Sequence, residues 1–263
     1  MGEGGEPHVS AFLAAVPAPF SVASVVRWLT AAAHWHGRAG IPRRLVEHLT
    51  MSGAAVLTAL VLALPVGLVL GHLRRGGFLA VNVSNVGRAI PSFAILVVAV
   101  QLLGIREVLG INRPAYIALV ALAVPPVVTN TYVAMAGVDD ELREAARGMG
   151  MTGRQVLVRV ELPAAVPLVM AGVRTAAVQV VATATLAAVV GSGGLGVFIT
   201  AGLAQRDFVQ VTAGALLVAA LSVLTDLSLG AVQRAVTPTG LSSAARSARA
   251  AALPGAGAAV EPV

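Results

Sequence analysis

Glu144-Ala145-Ala146-Arg147-Gly148-Met149-Gly150-Met151-Thr152-Gly153-Arg154-Gln155-Val156-Leu157-Val158-Arg159-Val160-Glu161-Leu162-Pro163 is a charged, glycine-hinged island between two long apolar segments of a chain that otherwise avoids charge. Just before it, Asp139, Asp140 and Glu141 place negative charge in the first turn of a helix, where the free backbone amides lie. Leu142, Ala145, Ala146 and Met149 give that helix one small apolar face. Gly150 is placed to end it in the left-handed conformation. A second helix is expected to begin with Thr152 as N-cap, to carry Val156 and Val160 on one side with Arg154 and Arg159 near the other, and to stop at Pro163. The product is a short helix-turn-helix with a shallow apolar face.

Around this island the composition is that of a membrane protein. Hydrophobic residues make up 57% of the chain and charged residues 11%, against roughly 25% charged in an average soluble domain, and the mean hydropathy is +0.86. The apolar excess is gathered in long uncharged runs, so an all-α polytopic membrane protein is expected. All eighteen basic residues are arginine and cysteine is absent, which excludes a disulfide framework, a thiolate metal site and a cysteine nucleophile. No catalytic set and no metal site is expected. In such a chain the net charge of +6 reflects topology and anionic lipid, not nucleic acid.

Five core spans are expected. The first, Met51 to Gly71, repeats Ala55, Ala59, Ala63, Gly67 and Gly71 every fourth residue, a ridge that lets another helix approach closely, and Pro65 predicts a kink. The second, Phe78 to about Ile105, opens with Asn82, Ser84, Asn85 and Arg88 before Ile90-Pro91 and is read as tilted or broken. The third, Ala115 to Val138, is interrupted by Pro125-Pro126, with Asn130, Thr131 and Tyr132 following; pathway lining and bonding to a neighbouring helix are both open there. In the fourth, Ala164 to Val190, Thr175, Gln179 and Thr183 form one polar stripe after Arg174, read as a translocation surface. The last, Phe208 to about Gln233, encloses Asp226, for which pairing with Arg174 or Arg88 is preferred to a proton relay. The candidates for the path are therefore Asn130, Tyr132, Thr175, Gln179 and Thr183.

The ends are read separately. Residues 1–48 lack the basic start of a secretory signal, and the face formed by Val22, Val25, Val26 and Leu29, with Trp28, Trp35, His34 and His36 nearby, suggests an interfacial helix; Pro17 and Pro19 disfavour a sixth span. Gly191-Ser192-Gly193-Gly194-Leu195-Gly196 satisfies GxGxxG, but it lies between apolar runs and Asp207 comes too early for a ribose-binding acid, so a tight turn is expected, not a nucleotide site. Residues 237–263 lack apolar periodicity and are expected to be a disordered tail after a membrane domain spanning 49–236.

The spacing Glu-Ala-Ala, glycine four places later, and aliphatic-x-Leu-Pro, here Glu144, Ala145, Ala146, Gly150, Val160, Leu162 and Pro163, resembles the cytoplasmic signature loop of permease subunits of ATP-binding-cassette importers, with Val160 where isoleucine is usual. Leu64-Pro65-Val66-Gly67, Arg88-Ala89-Ile90-Pro91-Ser92, Asn130-Thr131-Tyr132, Ala182-Thr183-Ala184-Thr185-Leu186 and the glycine turn look like the osmoprotectant permeases for glycine betaine, carnitine or choline; the likeness runs from about Ile41 to Gly240.

This resemblance implies a type I importer membrane domain in the cell membrane, with residues 139–163 as the coupling loop. It implies a second permease copy or a sister permease, cytoplasmic ATPase subunits that use ATP and Mg, and an extracytoplasmic substrate-binding protein. The chain itself is expected to bind no cofactor and, having no lysine, to carry no P-loop of its own. With the coupling loop inside, Arg38, Arg43 and Arg44 fall outside, against the positive-inside tendency, so either the N-terminal helix crosses as a sixth span or this is an exception. Two alternatives carry different expectations: a methionine-type importer shares the loop and differs in cargo, and an ion-coupled carrier would use Asp226, Arg88 and Arg174 as a relay.

Overall fold

Apolar helices shape the whole molecule, because in a bilayer each backbone polar group must be satisfied within the chain. The computed structural model describes residues 21–78, 82, 87, 90–105, 107, 108 and 111–237. In chain order the helices are α1 (Val22–Thr30), α2 (Ile41–His72), α3 (Ser92–Leu103), α4 (Arg113–Ala136), α5 (Asp140–Gly148), α6 (Gly153–Val190), α7 (Gly196–Gln205) and α8 (Phe208–Val236). Helices α2, α4, α6 and α8 are each long and apolar enough to cross a membrane.

α4 is the centre of the packing, with α2, α3 and α6 laid against it, while α6 also holds α8, and α8 carries α7 and α1. The small-residue ridge explains the closeness of α2 and α4. Ala55, Ala59 and Ala63 are fully buried, and a methyl group added at Gly67 or Gly71 would strike Thr131 or Met135 of α4. Met51 and the three alanines share a core with Leu119, Ala123 and Val127 of α4 and Ala176 and Val180 of α6. Bulky residues such as Val61 and Leu224 are turned outward, as lipid-facing positions should be.

Several boundaries differ from expectation. α2 begins at Ile41, ten residues before the expected span, with Gly40 as N-cap and Pro42 in its first turn. The prolines at 125 and 126 do not interrupt α4: both are buried, and Asn130 Nδ2 donates to the Pro126 carbonyl at 2.7 Å. Between the second and third expected spans two short strands pair antiparallel, Glu107 opposite Asn112 and Val108 opposite Ile111. Of the second expected span, α3 is a 12-residue helix beginning after Pro91, about 18 Å long; Ser84, Asn85 and Arg88 lie outside the described residues. α1, with nine residues and a Ser21 capping box, is about 14 Å long, far short of the roughly 30 Å hydrocarbon core. Its Trp28 ring stacks on His34 and meets Phe198 edge-on. Residues 1–20 and the expected tail beyond Thr237 fall outside the described residues.

Pro163 does not stop a helix. Glu161 and Leu162 run on into the membrane helix, so α6 is continuous from the loop to Val190. The adjustment comes just before the proline, where Leu157–Glu161 widen into a π turn and the Leu162 amide reaches back to the Leu157 carbonyl. A π turn re-spaces the backbone bonds around the donor that Pro163 lacks. The helix tightens to 3₁₀ over Ala184–Val190 before the glycine turn.

Candidate functional site

The loop over residues 139–163 is built as its residues dictate. Asp139 caps α5 by accepting from the Glu141 amide at 2.8 Å, with Asp140 and Glu141 in the first turn. Gly150 adopts φ +78, its N–H donating to the Arg147 carbonyl and that of Met151 to Ala146, the paired bonds of a Schellman end. Thr152 then opens α6 through a capping box with Gln155. Gly150 and Thr152 thus do what their residue types predict. Leu142, Ala145 and Met149 share an exposed stripe beside exposed Glu144, whereas Ala146, expected on that stripe, is turned inward and buried. Of the closing residues, Val160, Leu162 and Pro163 are half-buried on the first turns of the membrane helix.

What holds α5 to the spans was not visible in the motif. Arg143 and Glu161 are buried, with Arg143 Nε 3.3 Å from Glu161 Oε1 as an ion-pair contact. Arg143 Nη2 donates to the Met135 carbonyl at the end of α4, and His72 Nδ1 at the end of α2 donates to Glu161 Oε2 at 2.6 Å. One carboxylate therefore joins α2, α5 and α6. A second clamp comes from Arg74, left-handed at φ 49, whose guanidinium donates to the Val138 carbonyl and to Asp140. The Arg74 guanidinium bonded to Asp140 holds that exposed carboxyl below the ordinary aspartate value, and Asp140 in turn raises Arg74. The available sequence signal was Glu161 itself, a lone acid among Val158, Val160 and Leu162.

A groove of about 500 Å³ opens between α6 and α8. It brings together Thr175 and Gln179 of the polar stripe with Arg174 and Asp226. Arg174 Nε and Nη2 both donate to the Asp226 carboxylate at 2.6 Å, a bidentate fork, and Nη1 reaches Gln233 at 3.4 Å. The expected pairing of Asp226 with Arg174 is therefore present. The other candidates lie elsewhere. Thr183 borders a narrow crevice near Ser92 and Leu119; Asn130 packs where Gly172 has no side chain, and the Tyr132 hydroxyl fills the space left at Gly77.

At the end of the bundle away from residues 139–163, the glycine turn packs as expected. Gly191, Gly193 and Gly194 are left-handed, and a methyl at Gly193 or Gly194 would meet Glu47 or His48. His48, fully buried, accepts from the Leu195 amide on Nδ1 and faces the Val181 carbonyl at 2.8 Å with Nε2. Those two partners select the Nε2–H tautomer. Glu47 takes the Gly194 amide and pairs with both Arg43 and Arg44. The basic cluster that runs against the positive-inside tendency is thus partly neutralised in place. Neither Glu47 nor His48 stood out in the sequence.

Comparison with known proteins agrees with this geometry. Residues 59–238 match the model of the family described as binding-protein-dependent transport system inner membrane component. The chain is 37% identical over 195 residues to the glycine betaine/carnitine/choline transport system permease protein OpuCB of Bacillus subtilis (strain 168), covering 74% of this chain and 88% of that one. It is 33% identical over 196 residues to the osmoprotectant import permease protein OsmW of Salmonella typhimurium, covering 74% and 91%. Among solved structures, an inward-facing conformation of the MetNI methionine ABC transporter matches with TM-score 0.63 and 26% identity, over 75% of this chain and 96% of that one. With the apolar spans and the match across residues 59–238 in agreement, the chain belongs to the inner membrane components of binding-protein-dependent transport systems.

Proposed function

We propose that this chain is the non-catalytic permease subunit of an ATP-driven importer for small quaternary-ammonium osmoprotectants of the glycine betaine, choline and carnitine type. The observation that carries the reading is the exposed stripe Leu142, Ala145 and Met149 beside Glu144, on a helix fixed to three spans by Arg143 and Glu161. A face so anchored and so exposed is suited to docking on an ATPase subunit, with Gly150 as the hinge after it. In this reading two ATPases bind ATP and Mg, a second permease copy or a sister permease completes the path, and a binding protein delivers solute from outside. The chain holds no cofactor. The cargo class rests on relatives at 37% and 33% identity that are named for betaine, choline, carnitine or osmoprotectant transport.

A methionine cargo is the second reading, because a matching solved structure is a methionine transporter at 26% identity. The ion-coupled carrier has less to support it, since Arg174 and Asp226 satisfy each other. Two measurements test the assignment. Gentle detergent purification of the tagged chain from native membranes should recover an ATPase subunit, and Gly150→Pro should lose it. Uptake of labelled glycine betaine should be competed by choline and carnitine; dominance by methionine would move the cargo to the second reading.

A further inference from the structure

Resting on the import reading above, we propose that the Arg174–Asp226 pair is an exchangeable zwitterion site, at which a solute carboxylate takes the guanidinium fork while its quaternary ammonium takes Asp226. Depth is the first consideration. Along α6, the Arg174 backbone stands about 18 Å from Leu162, and along α8, Asp226 stands about 15 Å from Val236, at 1.5 Å per residue; the guanidinium itself leans on Gly230 and reaches Gln233, which puts the pair within the inner half of a hydrocarbon core of about 30 Å. Charges at that depth face protein or water, not lipid. Yet the two side chains are 35% and 40% exposed, and what they are exposed to is the groove between α6 and α8.

The groove has the chemistry of a receptor for a small amphiphilic zwitterion. Its volume, about 500 Å³, falls within the roughly 300–1,000 Å³ of small-molecule sites. Ala171, Val178 and Ala182 supply an apolar wall for methyl groups, and the Gln179 amide finds no partner among the described residues. The guanidinium is held from behind, with Nη1 toward Gln233, which itself donates to the Pro167 carbonyl at 2.9 Å, so the fork is fixed whichever carboxylate it receives. A zwitterion offers one replacement for each partner, and opening the pair leaves neither charge without a counter-charge. A cation such as choline replaces Arg174 alone at Asp226 and leaves the fork without a carboxylate.

This asymmetry sets the test. The tagged permease would be purified with its ATPase, reconstituted with the cognate binding protein, and its maximal uptake rates for glycine betaine and for choline measured at saturating solute. The same binding protein serves every variant, so its contribution cancels. A charge-assisted bond lost on one solute and not the other predicts that Arg174→Gln lowers betaine uptake by about tenfold or more and choline uptake by less than about twofold, while Asp226→Asn lowers both by about tenfold. Equal losses for both solutes in assembled Arg174→Gln complex, or no loss for betaine, would overturn the exchange site and leave the import reading intact. If Arg174→Gln does not assemble, Arg174→Lys keeps the charge and loses the fork; a decline confined to betaine supports the site and an equal decline removes it. Transport of neither solute by wild type would instead remove the import reading itself.

Discussion

Arg143→Ala is expected to detach α5 from the spans without touching the surface that helix presents. The substitution removes the counter-charge of a fully buried Glu161 and the bond to the Met135 carbonyl. Breaking a buried ion pair by removing one partner costs about 3–5 kcal/mol. His72 still donates to Glu161 Oε2 at 2.6 Å, which places the loss near the lower limit. At about 2–4 °C per kcal/mol for a chain of this size, the melting temperature of the purified subunit in detergent should fall by about 6–12 °C. The double variant Arg143→Ala with Glu161→Gln buries no lone charge, and its His72 still meets an amide oxygen. It should therefore be more stable than the sum of its single variants by about 2 kcal/mol. Thermal melts of the four proteins, with the fraction retaining ATPase subunit measured in parallel, complete the cycle. An Arg143→Ala melt within about 2 °C of wild type, outside the range expected for a buried pair, or strict additivity in the double variant would refute the coupling assigned to this pair.

Three further outcomes are expected. Gly150→Ala forces a side chain into φ +78 and should destabilise the loop by about 1–2 kcal/mol, read as faster amide exchange at Met149 and Met151 with the spans unaffected; unchanged exchange would mean the turn tolerates a side chain. Gly71→Leu drives a side chain into Met135 and the Tyr132 carbonyl and should lower the yield of folded subunit, whereas Leu57→Ala on the lipid-facing side of the same helix should not; equal yields would contradict the ridge as the α2–α4 contact. Because Arg74 depresses the Asp140 carboxyl, the pair contributes fully above the ordinary aspartate value, about 3.9, and is lost only as pH falls through the lower folded value. Spin-label distances between positions 75 and 147 should stay constant from neutral pH down to that range, and a shift near neutrality would rule the pair out as the clamp.

The parts legible in advance were those with a local physical cause. Asp139, Gly150 and Thr152 act on the backbone within a turn of themselves, and the alanine-glycine ridge of α2 depends only on helical periodicity. Pro163 and Pro125-Pro126 misled because proline signals a break only when nothing else holds the helix: a π turn re-spaces the bonds before the first, and the other pair is buried in the packing of a helix that runs through it. The contacts that join segments distant in sequence were out of reach. His72 and Glu161, or Glu47 and Gly194, are brought together by the topology of the bundle, and His72 and Glu47 look like ordinary solvated side chains when read in their own neighbourhoods. Arg174 and Asp226 are the exception, since charges deep in apolar runs have few partners to choose from.

The continuity of α6 makes the loop and the glycine turn two ends of one lever. Its 38 residues measure about 57 Å at 1.5 Å per residue, with Gly150 just before one end and Gly191 just after the other. If such a rod pivots at its base by about 5°, its tip swings sideways by about 5 Å, close to the 5.4 Å pitch of a helical turn. A tilt too small to disturb the packing near the pivot would thus carry the Gly191 end about 5 Å sideways across Glu47 and His48.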